Sequence, residues 1–278
     1  MLHDKVVVIT GAGSGIGAAL AAAFARQGAA LALLDIHEER LEAVATALRA
    51  GGTRVSTHAV DVGERSSLEA ARARVLAEHR DVDVVVNNAG VSVFGAFEEL
   101  DEAELRRVLD VNLWGVIHGC HVFLPDLMAR PRGHIVNTAS MAGVAGMPWQ
   151  TIYCTSKFAV RGFSASLRAE LAGTGVDVTC VLPGTTATGI MDSLGPRHPQ
   201  VTGALSRLIG HGLSPHRLAR KVIRAVRWNR AELFTGPDAW MLDWSFRGAP
   251  WLVRGFMGLL GRQARRMLPP GGAGGEHE

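Results

Sequence analysis

Cysteine is scarce in this chain: Cys120, Cys154 and Cys180 stand far apart. An odd number without CxxC spacing excludes a disulfide framework and a zinc site, so no metal is expected and a reducing compartment is. No run approaches the ~20 uninterrupted apolar residues of a spanning helix, so no transmembrane segment is predicted. The first residues, MLHDKVVVITG, lead almost at once into an apolar run without signal-peptide layout, which predicts a cytoplasmic protein. Glycine is plentiful, 33 residues, but has no G-X-Y period, which excludes a collagen-like chain. Tyrosine is scarcest of all, because Tyr153 is the single one in 278 residues.

What is present suits a large α/β domain. The hydrophobic share, 47%, is ample for a core. Charge is uneven along the chain. Residues 1–189 carry 16 basic and 20 acidic side chains, whereas residues 190–278 carry 13 and 6. The net charge of +3 therefore divides into −4 and +7, and the basic character belongs to the last third.

The lone tyrosine lies in the stretch Ser140–Lys157, SMAGVAGMPWQTIYCTSK. A helix from Ile152 to about Ala172 would set Lys157 one turn beyond Tyr153 on the same face. A free phenol titrates near pH ~10 and is a poor base at neutrality. A fixed cation nearby favours the phenolate, and the tuned phenol can exchange a proton with an alcohol or a carbonyl. Ser140, on the loop before, can hold the same oxygen. Cys154 points away round the helix and reads as structural.

In chain order, Lys5–Thr10 reads as a buried strand that runs into Gly11-Ala-Gly-Ser-Gly-Ile-Gly17 and an alanine-rich helix to Gln27. Strand, glycine loop and helix form the setting in which glycines admit a pyrophosphate to a helix N-terminus. Ala30–Asp35 is a second strand ending in an acid. That acid suits adenosine hydroxyls and repels a 2′-phosphate, so NAD is favoured over NADP. Without the glycine loop, Asp35 would read as a helix cap. Further strands are predicted at Thr53–Val60, Val82–Val86, Gly133–Ser140, Val176–Leu182 and Ala231–Thr235. Helices are predicted at Glu38–Arg49, Arg65–His79, Asp101–Met128 and Pro215–Asn229. Asn112 sits inside one of them, where Asn is a poor helix former. The alternation predicts a parallel sheet covered on both faces, with ligands at the carboxyl ends of its strands.

TGAGSGIG at 10–17, DV at 61–62, NNAG at 87–90, Asn112, Ser140, Tyr153-x-x-x-Lys157 and PG at 183–184 together resemble the short-chain dehydrogenases/reductases. The resemblance covers about residues 4–190, with a weaker echo to about 237. It implies an α/β fold: a Rossmann-type doubly wound parallel sheet of about seven strands, in a single domain with a helical C-terminal extension. It implies Tyr153 as general acid/base, Ser140 on the substrate oxygen, Lys157 on the nicotinamide ribose, and Asn112 placing a water of a proton relay. Gly11, Ser14, Gly15, Ile16 and Gly17 would line the pyrophosphate, Asp61 and Val62 the adenine, and Asn88, Ala89 and Gly90 the adenosine ribose side. Pro183, Gly184, Thr186 and Thr188 would border the nicotinamide. Thr186 departs from the apolar residue usual at its place.

Residues 1–237 are assigned to the catalytic domain, with 189–230 as substrate flap and helix, 238–268 as an amphipathic extension and 269–278 as a disordered tail. Wound as a helix, 252–268 gathers Arg254, Arg262, Arg265 and Arg266 on one arc and Leu252, Phe256, Leu259 and Leu260 on the other. Three roles fit this pattern. It can pack on its own domain or a neighbouring subunit, lie on an anionic membrane with Trp240, Trp244 and Trp251 at headgroup level, or lid a lipophilic substrate.

The sequence thus predicts an NAD(H)-dependent enzyme interconverting a secondary alcohol and a ketone or aldehyde. Its substrate is a bulky, lipophilic small molecule. The alternative is a catalytically silent NAD-binding scaffold of the same fold. A nucleic-acid partner is not expected, because no aromatic platform is interleaved with the arginines. By family analogy the chain is a homodimer or homotetramer.

Overall fold

The first strand, β1 (Val6–Thr10), is buried at every position, as a β-branched run in the middle of a sheet must be. In the computed structural model, which describes residues 2–186 and 212–267, β1 pairs with β2 (Ala30–Asp35) on one side and β4 (Val84–Asn87) on the other. β3 (Val55–Ala59) lies outside β2. β5 (Gly133–Thr138), β6 (Val176–Pro183) and β7 (Glu232–Thr235) continue beyond β4. The order is β3-β2-β1-β4-β5-β6-β7 and every pairing is parallel. The order reverses between β1 and β4, the crevice where ligands of doubly wound sheets bind.

Strand alternation splits the core into two layers. Val8, Ala32, Val85 and Ile135 face one side, under α3 (Arg65–His79), α5 (Gly115–Met128) and α6 (Thr151–Glu170). Val7, Ile9, Leu31 and Val86 face the other, under α1 (Gly15–Ala25), α2 (Glu38–Ala50) and α7 (Pro215–Arg227).

Two of the expected elements differ. The helix predicted over Asp101–Met128 is three pieces: α4 (Glu102–Leu109), a π turn at Asp110–Trp114, then α5. The widened turn surrounds Asn112, and single π turns in helices recur at functional sites. The extension is two helices, α8 (Pro237–Gly248) and α9 (Pro250–Met267), because Ala249 is extended and Pro250 has no N–H to continue α8. Thr188, residues 189–211 of the expected flap, and Leu268 with the tail at 269–278 lie outside the described residues.

Candidate active site

The glycine loop, the ends of β2, β4, β5 and β6, and the start of α6 enclose one cleft of about 840 Å³. Gly11, Ser14, Gly15, Ile16, Asp35, Asp61, Val62, Asn88, Ala89, Gly90, Ser140, Tyr153, Lys157, Pro183, Gly184 and Thr186 all line it. Of the expected residues within the described range, Gly17 and Asn112 do not reach its walls.

Gly17 acts one layer back. A Cβ there would stand 1.9 Å from the Gly11 carbonyl oxygen, so only glycine lets α1 start against the loop. Gly11 has φ of +64° and a Cβ on it would meet the Ala89 backbone at 2.8 Å. The α1 N-terminus therefore opens into the cleft, with no acid in its first turn to compete for an anion. The Asp35 carboxylate accepts from Gly13 N–H at 2.8 Å and His37 N–H at 3.0 Å, which fixes it at the mouth of the loop. These features fit an extended dinucleotide, with its pyrophosphate on α1 and a ribose at Asp35.

Asn88 staples the two loops together. Its side-chain nitrogen donates to the carbonyls of Thr10 and Gly11, and its own N–H and that of Ala89 both donate to the Thr10 hydroxyl. Thr10 is thus a positioning residue that the glycine pattern alone did not reveal as one.

At the other end, α6 presents Tyr153 and Lys157 side by side. The Lys157 ammonium lies 5.7 Å from the Tyr153 ring centre and donates to the Thr138 carbonyl at 3.0 Å. Both side chains are buried. Burial pushes the Tyr153 phenol up to about 12, opposed by a hydrogen bond from Ser140. Burial also brings the Lys157 ammonium down to about 8. Without a bound cofactor, burial is the largest influence on both groups, and the ammonium faces the ring and a carbonyl.

Asn112 is fully buried and hydrogen-bonded at both ends of its amide. Its side-chain oxygen accepts from Val91 N–H at 2.8 Å, and its nitrogen donates to the Val91 carbonyl and the Ser156 hydroxyl. That side chain fixes the loop after β4 to α6, with both amide hydrogens and one lone pair of Oδ1 engaged. Gly90 lets it come close to Lys157: a Cβ there would lie 3.3 Å from Asn112 Oδ1 and 3.5 Å from Lys157 Nζ. Thr186, polar where an apolar residue was anticipated, turns its hydroxyl onto the Gly184 carbonyl at 3.0 Å.

Three cleft-side groups were not found by motif reading. Arg40 and Arg107 also line the cleft. Asp238, in the first turn of α8, accepts from Thr185 N–H at 2.5 Å and holds the strand-end loop after β6. Its signal in the sequence was only its place after a Gly-Pro. Among the described residues no group of three or more His, Cys, Asp or Glu could hold a metal ion.

Residues 5–198 match the short chain dehydrogenase family, and the chain belongs to it. It is 37% identical over 261 residues to a probable oxidoreductase EphD of Mycobacterium tuberculosis, covering 90% of this chain but 44% of that protein. It is 38% identical over 199 residues to estradiol 17-beta-dehydrogenase 11 of Pongo abelii, covering 69% of this chain and 66% of the other. The chain thus spans under half of EphD and about two thirds of the dehydrogenase. A short chain dehydrogenase/reductase from Burkholderia phymatum, solved in complex with NAD, superposes with a TM-score of 0.82 at 29% identity, over 99% of both chains.

Proposed function

We propose that this protein is an NAD(H)-dependent oxidoreductase that interconverts a secondary alcohol and a ketone or aldehyde, with Tyr153 passing the proton. The observation that carries the reading is the meeting of Ser140, Tyr153 and Lys157 in the same cleft as the glycine loop and Asp35. The nicotinamide, when bound, supplies or accepts the hydride. The side chains do the rest. Ser140 holds the substrate oxygen, and Tyr153 exchanges a proton with it. A buried phenol held up to about 12 is protonated at neutral pH. It is ready to donate in the direction of reduction and must first lose its proton for oxidation. Alcohol oxidation is therefore expected to speed up with rising pH more steeply than carbonyl reduction. Asp35 favours NAD over NADP, since a carboxylate repels a 2′-phosphate.

The substrate is bulky and lipophilic in this reading. Val91, Met141, Ala142 and Met147 make the cleft beside Tyr153 apolar, with Gln150 among them. A relative named for estradiol is consistent with such a molecule. Homodimers or homotetramers are supported by Trp114, Met128 and Phe158, large apolar side chains exposed on the π turn, α5 and α6.

The test is NADH formation with NAD and alcohols graded from small polar to steroid-sized, beside Tyr153→Phe. Turnover at the apolar end that falls about 100- to 10,000-fold in the variant, with NADH binding kept, supports the reading. NAD binding with no turnover, or turnover unchanged in Tyr153→Phe, favours the silent scaffold or another proton donor.

A further inference from the structure

The extension turns only part of its apolar surface inward. On α8, Ala239 is buried, while Leu242 and Phe246 pack on the core. On α9, Val253 is buried, and a Cβ on Gly261 would lie 3.6 Å from Pro148. The other faces carry Trp240, Trp244, Trp251, Leu252, Phe256 and Leu259, each at least 54% exposed. Trp240 and Trp244 stack on one another at 6.5 Å. Isolated exposed apolar residues are ordinary, but six on two consecutive helices mark an interaction surface.

The charges of these helices are sorted by sign. α8 and α9 hold two acids, and both point inward. Asp238 accepts from Thr185 N–H, and Asp243 is buried against Arg161 and Arg247. α9 has no acid. Arg254, Arg262, Arg265 and Arg266 are exposed, and Arg265 meets Glu98 at 3.1 Å, through side chains that are both more than half exposed. Such a pair is weak and easily exchanged.

We propose that α8 and α9 form a docking surface for an anionic lipid bilayer. Their tryptophans and leucines enter the headgroup–acyl boundary and the arginines meet the lipid phosphates. Charge decides against a second copy as the occupant. A two-fold interface sets a patch against itself, and this one would oppose arginine to arginine without exposed acids of its own helices between them. Position gives the surface a use. α9 passes Pro148 and reaches Glu98, and Met147 beside Pro148 lines the cleft. The bilayer would then lie beside the mouth through which an apolar molecule enters. The docking itself is independent of the reaction assigned to the cleft.

The experiment is flotation of the full-length chain with vesicles of phosphatidylcholine alone and of phosphatidylcholine with phosphatidylglycerol, together with tryptophan emission. The expected result is co-flotation and a blue shift with the anionic vesicles, weakened by salt and weak with phosphatidylcholine alone. Arg262→Glu/Arg265→Glu/Arg266→Glu should weaken binding at least about 100-fold, since each charge near the surface is worth about fivefold. Trp251→Ser/Phe256→Ser should weaken flotation and shrink the blue shift while NADH binding stays intact. Protein that remains in the soluble fraction with anionic vesicles overturns the proposal. So does undiminished flotation of both variants. Loss of an oligomer in the apolar variant, with vesicle binding unchanged, would give the face to a second copy instead.

Discussion

Residues 2–186 and the extension at 237–267 treat apolar side chains in opposite ways. In the first region most are taken into two layers, one on each side of the sheet, with exposed exceptions such as Trp114, Met128 and Phe158, and β5 is buried at all six positions. Its buried polar groups are largely paired, as Asn112 is with Val91 and Ser156. In the extension, tryptophans and leucines face outward beside exposed arginines. The reason is geometric. A helix lying on the sheet is given a broad face to bury, whereas α8 and α9 come after the edge strand β7 and lean on the domain by one narrow stripe. The core carries the proposed chemistry, and the extension the proposed docking.

The comparison can be broken first at Gly17. Gly17→Ala forces a Cβ to 1.9 Å from the Gly11 oxygen, so NADH binding, followed by fluorescence titration, should disappear. Substitution at an exposed extension residue such as Trp244→Ser should leave NADH binding as it was. If both variants bind alike, the glycine loop is not the dinucleotide cradle.

Acid sensitivity should also belong to the core. His134 lies on β5, buried, with its Nε2 2.8 Å from the Thr179 hydroxyl. That hydroxyl donates to the Arg230 carbonyl, so His134 is the donor and carries its proton on Nε2. Burial brings its pKa from 6.5 down to about 4. The unfolded chain therefore takes up a proton first as pH falls, and stability drops between pH 6.5 and about 4. The loss is about 3 kcal/mol in full. Melting temperature against pH should show this drop, and His134→Gln should flatten it. A variant as steep as the wild type would assign the effect elsewhere, with His58 and His79, also lowered by burial, the next candidates.

The smallest effect tests whether the two regions are separate at all. Asp238→Ala removes the acceptor for Thr185 N–H at the nicotinamide-side loop. A buried donor left without a partner costs about 1–3 kcal/mol, so the NADH dissociation constant should rise about tenfold. Asp238→Asn, which keeps an acceptor, should recover most of the affinity. An unchanged constant in Asp238→Ala would mean that the extension does not support the cofactor site.

Much of this was legible in the chain itself. β-branched runs and glycine punctuation located the strands to within a residue or two, because a strand buried on both faces leaves a continuous apolar run. The four-residue step from Tyr153 to Lys157 put both on one face of α6. The π turn was not legible, since a one-residue widening leaves no mark in hydrophobic period. The break of the extension at Pro250 is legible, since a proline cannot continue the helix before it. Composition could not show that Asp238 and Asp243 turn inward, which is what leaves the outer surface positive.

By itself, the sequence determined the order of elements, the glycine loop, the acid after β2 and the tyrosine–lysine pair, because these depend on local periodicity and spacing along the chain. Only the tertiary structure decided that Asn112 ties Val91 to Ser156, that burial raises Tyr153 and lowers Lys157, and that the extension bares its tryptophans. Those outcomes depend on desolvation and on partners far away in the chain, quantities that exist only once the layers have closed.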